Sequence, residues 1–236
     1  MSSAEVSGGA VTSQPAILFD LDGTLVDSVY QHVLAWSAAL EEAGIHLAVW
    51  RIHRRIGMSG GLFVSALGRE TGRHLSSDEV QRLQESHVRE FLKNHNQVRL
   101  LPGAKELLRH LSQSGIPWAI ATSGSDRSAG PALKMLEIPQ DAVVVTRDQV
   151  PFAKPDPHLF LRAAERLRVQ IQNAIVVGDS VWDMLAAQRA RALGVGLMSG
   201  GYGREELETA GAFRVYEDPA DLLDHLDELG IRFPRT

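Results

Sequence analysis

The segment Ile17-Leu18-Phe19-Asp20-Leu21-Asp22-Gly23-Thr24-Leu25-Val26-Asp27-Ser28 is the part of this chain from which the remainder can be interpreted. It begins within an uninterrupted apolar run, Ala16 to Phe19, which is typical of a strand buried on both faces. Asp20 and Asp22 follow, and positions i and i+2 of an extended chain point the same way, so their carboxylates can converge. Because crowded carboxylates at a buried strand end are costly unless a cation or a reaction uses them, we predict a functional site rather than a simple Asp-Gly turn.

The composition is that of an acidic protein with ordinary hydrophobicity. The chain has 236 residues, of which 44% are hydrophobic and 22% charged, and its net charge is −5. This balance argues against nucleic acid and membrane surfaces as partners, because both favour a basic patch. With no cysteine, the chain has neither disulfides nor thiolate metal ligands. Residues 1–14 lack the basic start and apolar core of a signal peptide, so we expect a flexible tail on a cytoplasmic monomer or homodimer.

Two patterns of secondary structure divide the chain. Residues 29–97 show helical periodicity and no strand signal, with helices predicted at 29–43, 50–56, 62–71 and 77–94. From residue 98 onward, apolar strands alternate with helices, and such alternation implies a parallel sheet covered on both faces. The sequence therefore predicts an α/β protein. Its core is a Rossmann-like parallel sheet formed by residues 15–28 and 98–236, and it carries an all-helical insertion at 29–97.

Polar residues follow several other predicted strands, where open α/β sheets bind their ligands. Thr122 and Ser123 come directly after the strand 118–121, in a turn whose hydroxyls and backbone N–H groups suit phosphate oxygens. Asp179 follows the strand 174–177, and Asp183 lies four residues later on the same side of the next helix. Lys154 is held in an extended segment by the proline after it. Individually these are common surface or turn residues, but together they predict one site.

The residue types at this predicted site favour a particular chemistry. Oxygen ligands without histidine or cysteine indicate Mg²⁺ rather than zinc. A magnesium ion with a lysine and a threonine forms an electropositive pocket for a phosphoryl group, whose transfer depends on positioning and charge neutralisation. One carboxylate can then act as a nucleophile through an aspartyl-phosphate, and a second can act as general acid and base.

In their order along the chain, these motifs resemble those of the haloacid-dehalogenase superfamily. They are Asp20-Leu21-Asp22-Gly23-Thr24, then Thr122, Lys154 and Gly178-Asp179-Ser180 with Asp183. The helical block resembles the cap of the phosphoglycolate-phosphatase and β-phosphoglucomutase branch. The resemblance implies that residues 29–97 are this cap.

The same resemblance implies a role for each motif residue. Asp20 would be the nucleophile, and Asp22 the general acid and base. Thr122, Ser123 and Lys154 would bind the phosphoryl group. Mg²⁺ would be held by Asp20, by Asp179 and Asp183, and by the backbone carbonyl of Asp22.

These implications favour a Mg²⁺-dependent phosphatase that hydrolyses a small phosphorylated metabolite, a sugar phosphate or phosphoglycolate. Dehalogenation is disfavoured because the dehalogenases lack an acid at the position of Asp22. A phosphonoacetaldehyde hydrolase is disfavoured because residues 29–92 contain no lysine for a Schiff base. A β-phosphoglucomutase-like mutase stays open, as does a non-catalytic aspartyl-phosphate signalling or phosphate-binding protein.

The insertion supplies the candidate specificity residues. Arg55 and Gly57 lie in the loop with which this branch usually contacts its substrate, and Arg55 can pair with a substrate carboxylate or second phosphate. A solvated helix arginine is an equally good interpretation of Arg55. The histidines, among them His32, His74 and His87, show no metal-ligand spacing, so we predict that they lie at the surface or at its boundary.

Overall fold

A computed structural model describes residues 15–72 and 75–231 of the chain. The predicted flexible tail, residues 1–14, lies outside the described residues, as does His74. Within these described ranges, no helix is both long enough and apolar enough to cross a membrane.

The core is a six-stranded parallel sheet, which confirms the predicted α/β fold. In chain order the strands are β1 (Ala16–Phe19), β2 (Val26–Asp27), β3 (Arg99–Leu100), β4 (Trp118–Ala121), β5 (Val143–Val145), β6 (Ala174–Gly178), β7 (Leu193–Leu197) and β8 (Ala212–Tyr216). The sheet has the order β5-β4-β1-β6-β7-β8, so β1 is central, between β4 and β6. All neighbouring strands run parallel, so their carboxyl ends share one edge.

Helices cover both faces of this sheet and also form a separate group. In chain order they are α1 (Val29–Glu42), α2 (Val49–His53), α3 (Gly60–Thr71), α4 (Ser77–Asn94), α5 (Ala104–Gln113), α6 (Asp126–Leu136), α7 (His158–Leu167), α8 (Val181–Ala190), α9 (Arg204–Thr209) and α10 (Pro219–Asp224). Ile17 and Phe19 point into an apolar cluster with α5, α6 and α10, whereas Leu18 points into a second one with α7 and α8. The alternation explains why the β1 sequence is apolar at every position.

The four helices between β2 and β3 pack on one another around their own apolar cluster. Trp36 of α1, Phe63 of α3 and Leu83 of α4 are among its buried side chains. The chain passes from the sheet to these helices through β2 and returns through β3. These two strands form an antiparallel ribbon in which Val26 faces Leu100 and Asp27 faces Arg99.

The structure departs from the sequence prediction in its short elements. Strands β2 and β3 have two residues each, too few for a periodic signal, and α9 is a short polar helix. Helix α3 begins at Gly60 rather than Leu62, because the Ser59 hydroxyl accepts a hydrogen bond from the Leu62 N–H and caps the helix. Helix α2 ends at His53, before the predicted residue 56.

Candidate active site

Three carboxylates and one ammonium group meet at the carboxyl edge of the sheet. Asp20 follows β1, Asp179 follows β6 and Asp183 lies in the first turn of α8. Each offers a ligand oxygen within 4.8 Å of the others. Lys154 is fully buried among them, with Nζ 2.5 Å from Asp20 Oδ1 and 2.8 Å from Asp183 Oδ1. The chain thus brings together four of its predicted site residues.

The electrostatics of this cluster favour a divalent cation. Burial raises the pKa of Asp20 to about 7, and although Lys154 opposes this shift, Asp183 adds to it. The pKa of Asp179 is raised well above its ordinary value by burial and by the nearby Asp183 and Asp20. Burial lowers the pKa of Lys154, but the two carboxylates outweigh it and keep the ammonium charged. Three ionised carboxylates and one ammonium leave an excess of two negative charges, which a divalent cation would neutralise.

Neighbouring donors and close backbone packing fix the carboxylates. Thr24 Oγ1 donates to Asp179 Oδ1 at 3.0 Å. The backbone N–H and Oγ of Ser180 donate to Asp183 Oδ2 at 3.1 and 2.5 Å. A Cβ on Gly200 would lie 1.7 Å from Asp179 Oδ2, so only glycine allows the backbone to approach this carboxylate. The ligand atoms are therefore preorganised.

Asp22 sits beside the cluster in a different environment. Ser28 Oγ donates to its Oδ1 at 2.5 Å, and His32 Nε2 lies 3.1 Å from the same atom. Burial alone would raise the pKa of Asp22, but His32 and the hydrogen bond from Ser28 outweigh it and lower the pKa. The other oxygen, Oδ2, faces the turn after β4, since a Cβ on Gly124 would lie 3.8 Å from it. One oxygen is thus held while the other faces the predicted phosphate-binding turn.

The prediction that all the histidines lie at or near the surface is wrong for His32. Its side chain is buried against the Phe91 ring at 3.9 Å, and its Nδ1 lies 3.1 Å from His87 Nε2. His87 in turn stacks on Trp36, and burial and His32 hold its pKa well below the usual range. The sequence signal for the position of His32 was its spacing of four residues from Ser28, the residue before α1, because this spacing places both side chains on the same side of the helix.

The turn after β4 carries the predicted phosphate-binding hydroxyls. Thr122 is buried, and its Oγ1 accepts a hydrogen bond from the Gly124 N–H at 3.0 Å. Ser123 Oγ donates to the Gly57 carbonyl at 2.9 Å, so this hydroxyl links the sheet edge to the loop between α2 and α3.

That loop covers the site and includes both predicted specificity residues. Gly57 has φ +93°, and a Cβ there would lie 2.7 Å from Ser180 Oγ. The Ser59 N–H donates to the Lys154 carbonyl at 3.1 Å. The Arg55 guanidinium pairs with Glu70 of α3, so this side chain is engaged within the helical group rather than solvated.

A cleft of about 670 Å³ separates the two groups of elements. Asp20, Asp22 and Thr122 line it on the sheet side, and His87 and Gln84 of α4 line it on the helical side. Arg55 and Gly57 also contribute to its wall. Two carboxylates and the hydroxyls of the turn after β4 therefore share one cavity, and the buried Lys154 ammonium contacts one of these carboxylates. Such an arrangement can support phosphoryl transfer.

Comparison with known proteins agrees with this geometry. The family model of haloacid dehalogenase-like hydrolases matches residues 15–191. Hexitol phosphatase A of Escherichia coli is 34% identical over 178 residues, which cover 73% of this chain and 78% of that protein. A phosphoglycolate phosphatase of Rhodospirillum rubrum is 31% identical over 218 residues, covering 89% of this chain and 90% of that protein.

A solved structure extends the likeness to three dimensions. A hydrolase from Pseudomonas syringae superposes with a TM-score of 0.90 and is 52% identical, covering 92% of this chain and 99% of that one. The region matched by the family model includes every residue of the acidic cluster.

Proposed function

The chain belongs to the haloacid dehalogenase-like hydrolase family, and we propose that it is a phosphatase acting on a small phosphorylated metabolite through an aspartyl-phosphate on Asp20. The observation that carries this proposal is the cluster of Asp20, Asp179, Asp183 and buried Lys154, with Asp22 two residues beyond the nucleophile. The phosphatase relatives support the same reaction class.

The acidic cluster fits Mg²⁺, because its donors are hard oxygens and its charge is not balanced by Lys154 alone. Asp20, Asp179, Asp183 and the backbone carbonyl of Asp22 would hold the ion, directly or through water. Bound there, the ion supplies charge neutralisation for the phosphoryl oxygens and for the nucleophile.

The first step of the proposed reaction consists of phosphoryl binding and attack by the nucleophile. Lys154, Thr122 and Ser123 bind and orient the phosphoryl group so that phosphorus faces the Asp20 carboxylate. The carboxylate displaces the leaving oxygen and forms the aspartyl-phosphate. Lys154, buried against Asp20, favours the ionised form of the nucleophile and offsets the charge of the transferring group.

Asp22 serves as general acid and then as general base. Because its pKa is lowered, Asp22 is ionised in the resting site, and we expect it to take up a proton when the phosphate dianion binds beside it, since a neighbouring negative charge raises a carboxyl pKa. It then protonates the leaving oxygen in the first step, and the resulting carboxylate removes a proton from the water that attacks phosphorus in the second step. Its Oδ2 faces the Thr122–Gly124 turn, where these oxygens would lie. His32 and Ser28 hold Oδ1 and so determine where Oδ2 points.

Arg55 and Gly57 act in specificity by shaping the roof of the cleft. Gly57 lies against both Ser123 and Ser180, two residues of the sheet edge. A roof closed over the site excludes water from the first step, so that the Asp20 carboxylate rather than water accepts the phosphoryl group from the substrate.

The test is phosphate release from a panel of phosphorylated metabolites, with Mg²⁺ and with a chelator. The panel includes phosphoglycolate, hexitol phosphates and hexose phosphates. We expect release that requires the metal and is strongest for one substrate class. A β-phosphoglucomutase-like mutase would instead convert hexose 1-phosphate to hexose 6-phosphate with little release. A folded protein that neither releases nor transfers phosphate would favour the signalling or phosphate-binding alternative.

A further inference from the structure

Arg147 spans the cleft from the sheet side to the helical side. Its backbone N–H donates to the Gly124 carbonyl at 3.0 Å, which places the residue against the turn that carries Thr122 and Ser123. Its side chain reaches across to α4, where Nη1 donates to Gln84 Oε1 at 3.1 Å. Arg147, in the loop after β5, therefore lines the cleft next to the predicted phosphate-binding turn, and its guanidinium lies at the α4 side of that cleft.

The charge of Arg147 is compensated only by one long ion pair. Gln84 is neutral, and Arg147 Nη2 lies 3.7 Å from Asp148 Oδ1, which is beyond hydrogen-bond distance. The other oxygen of that carboxylate accepts a hydrogen bond from the Asp126 N–H at 2.9 Å. Arg55, in the same cleft, differs because Glu70 neutralises it. A guanidinium carries five N–H donors in a planar fork, so one bond to Gln84 leaves donors for a carboxylate or phosphate.

The field of this guanidinium extends into the cavity. Burial and His32 lower the pKa of His87, and Arg147 contributes to the same shift, so its charge is felt at the cleft wall. The one acidic side chain that α4 contributes to the cleft wall, Glu85, accepts a hydrogen bond from Gln81 at 2.8 Å. The cavity of about 670 Å³ exceeds what a phosphoryl group occupies, and the remaining space reaches Arg147.

We propose that Arg147, held by Gly124 and Gln84, binds a second anionic group of the substrate, a carboxylate or a second phosphate, and so selects phosphate esters that carry such a group over those whose only charge is the reacting phosphate. This inference rests on the proposed phosphatase function and adds a specificity-determining residue to it. Arg147 contacts the leaving portion of the substrate rather than the reacting phosphoryl group.

The experiment compares kcat/KM within two matched substrate pairs. Phosphoglycolate is paired with ethyl phosphate, and glucose 1,6-bisphosphate with glucose 6-phosphate, so that each pair differs by one anionic group. We expect the wild-type protein to show a kcat/KM about tenfold or more higher for the member with the additional anionic group in one of the pairs, as for a charge-assisted bidentate contact. The pair that shows the preference identifies carboxylate or phosphate as the recognised group.

Substitution of Arg147 then tests the assignment. In Arg147→Gln the preference should disappear through a higher KM for the ester with the second anionic group, while kcat/KM for the ester without it changes by less than about threefold. Arg147→Lys keeps the charge but not the fork, and should lose part of the preference. Arg162→Gln is the matched control, because Arg162 is a solvent-exposed arginine of α7 that does not line the cleft. Its preference should stay at the wild-type value.

Two outcomes would overturn the inference. One is a wild-type protein that hydrolyses both members of each pair equally well. The other is an equal loss for both members in Arg147→Gln, which would show that Arg147 serves only to hold α4. Failure of the proposed function is a separate result, because the protein would then hydrolyse none of these esters, nor p-nitrophenyl phosphate, with Mg²⁺ present.

Discussion

The two walls of the cleft are constructed in different ways. On the sheet side, the reactive groups stand at the ends of strands or one helical turn beyond, and each is buried and held by neighbours such as Thr24 and Ser180. On the helical side, the wall is assembled from side chains of α1, α4 and the α2–α3 loop, which meet only because these helices pack together.

This difference separates reaction chemistry from recognition. The sheet side offers a fixed charge cluster whose geometry tolerates little change, as the close approach of Gly200 to Asp179 shows. The helical side contacts the sheet side through polar bonds between side chains and loops, including those of Gln84 with Arg147 and Gly57 with Ser123. We therefore expect substitutions on the sheet side to remove turnover and those on the helical side to alter rate or selectivity.

The strongest test of that contrast is Asp20→Asn. The amide cannot act as the nucleophile, so we expect phosphate release to fall by at least about 10³-fold. Lys154 keeps its contact with Asp183, so the fold should survive. Phosphate release and circular dichroism measured together check this. Wild-type rates in the folded variant would exclude the aspartyl-phosphate mechanism.

The metal prediction tests the charge of the same cluster. Because the pKa values of Asp20 and Asp179 are raised, the folded protein without metal binds more protons than the unfolded chain between about pH 4 and 7, and its stability falls as pH rises through that window. Mg²⁺ favours the ionised carboxylates, so the rise in Tm that it produces should be larger at about pH 7.5 than at about pH 5.

The informative quantity at each pH is the difference between the Tm measured with Mg²⁺ and the Tm measured without it. The lowered pKa of His87 makes stability rise with pH up to about 6.5. This effect is the same with and without Mg²⁺, so it cancels in that difference. Asp179→Asn is the matched variant, and it should show little Mg²⁺-induced rise in Tm at either pH. A rise independent of pH would contradict the assignment of the cluster as the metal site.

A smaller effect is expected for His32→Gln, which acts on the sheet-side chemistry from the helical side. Without the contact to Oδ1, Asp22 loses one of the two groups that orient it, and its pKa should increase. We expect kcat to fall by about tenfold to 100-fold with little change in KM, since a small misplacement of a catalytic group has such an effect. The pH profile of kcat should shift with it.

The exposed His46 provides the control for that variant. His46→Gln should retain wild-type kcat and pH profile, because His46 is exposed to solvent and does not line the cleft. If His32→Gln changed stability alone, with an unaltered pH profile, the positioning role of His32 would be rejected.

The smallest effect is expected for Arg55→Gln. Its guanidinium is engaged by Glu70, so removing the charge should lower the free energy of unfolding by at most about 1 kcal/mol. We expect a change in kcat/KM of less than about threefold if Arg55 shapes the roof without touching the substrate. A larger loss, confined to substrates with a second anionic group, would show that Arg55 binds the substrate directly and that Arg55 and Arg147 both recognise this group.

The sequence predicted the sheet side well because its information is local. Asp20, Thr122 and Asp179 each come directly after an apolar strand, and parallel strands bring their carboxyl ends together. The predicted strands 118–121 and 174–177 differ from the observed ones by at most one residue, at Gly178 of β6. The spacing of Asp179 and Asp183 predicts that both carboxylates lie on one side, and both belong to the acidic cluster.

The helical side was less predictable because its contacts depend on packing. Nothing in a single chain indicates that His87 of α4 meets His32 of α1, fifty-five positions earlier, or that Gln84 reaches Arg147. Arg55 was left between a substrate contact and a solvated residue, and its partner Glu70 lies on another helix. Such pairs follow from how helices dock, for which periodicity indicates the face but not the partner.

The β2–β3 ribbon gives the molecule a modular construction. Because Asp27 and Arg99 are adjacent in this ribbon, the segment between them leaves and re-enters the sheet portion at one point. Replacing this segment would require no rearrangement of the central strands, and the entropic cost of closing a loop there grows only slowly with its length. New substrate ranges could therefore be acquired by recombination at this point while the reaction chemistry is inherited unchanged.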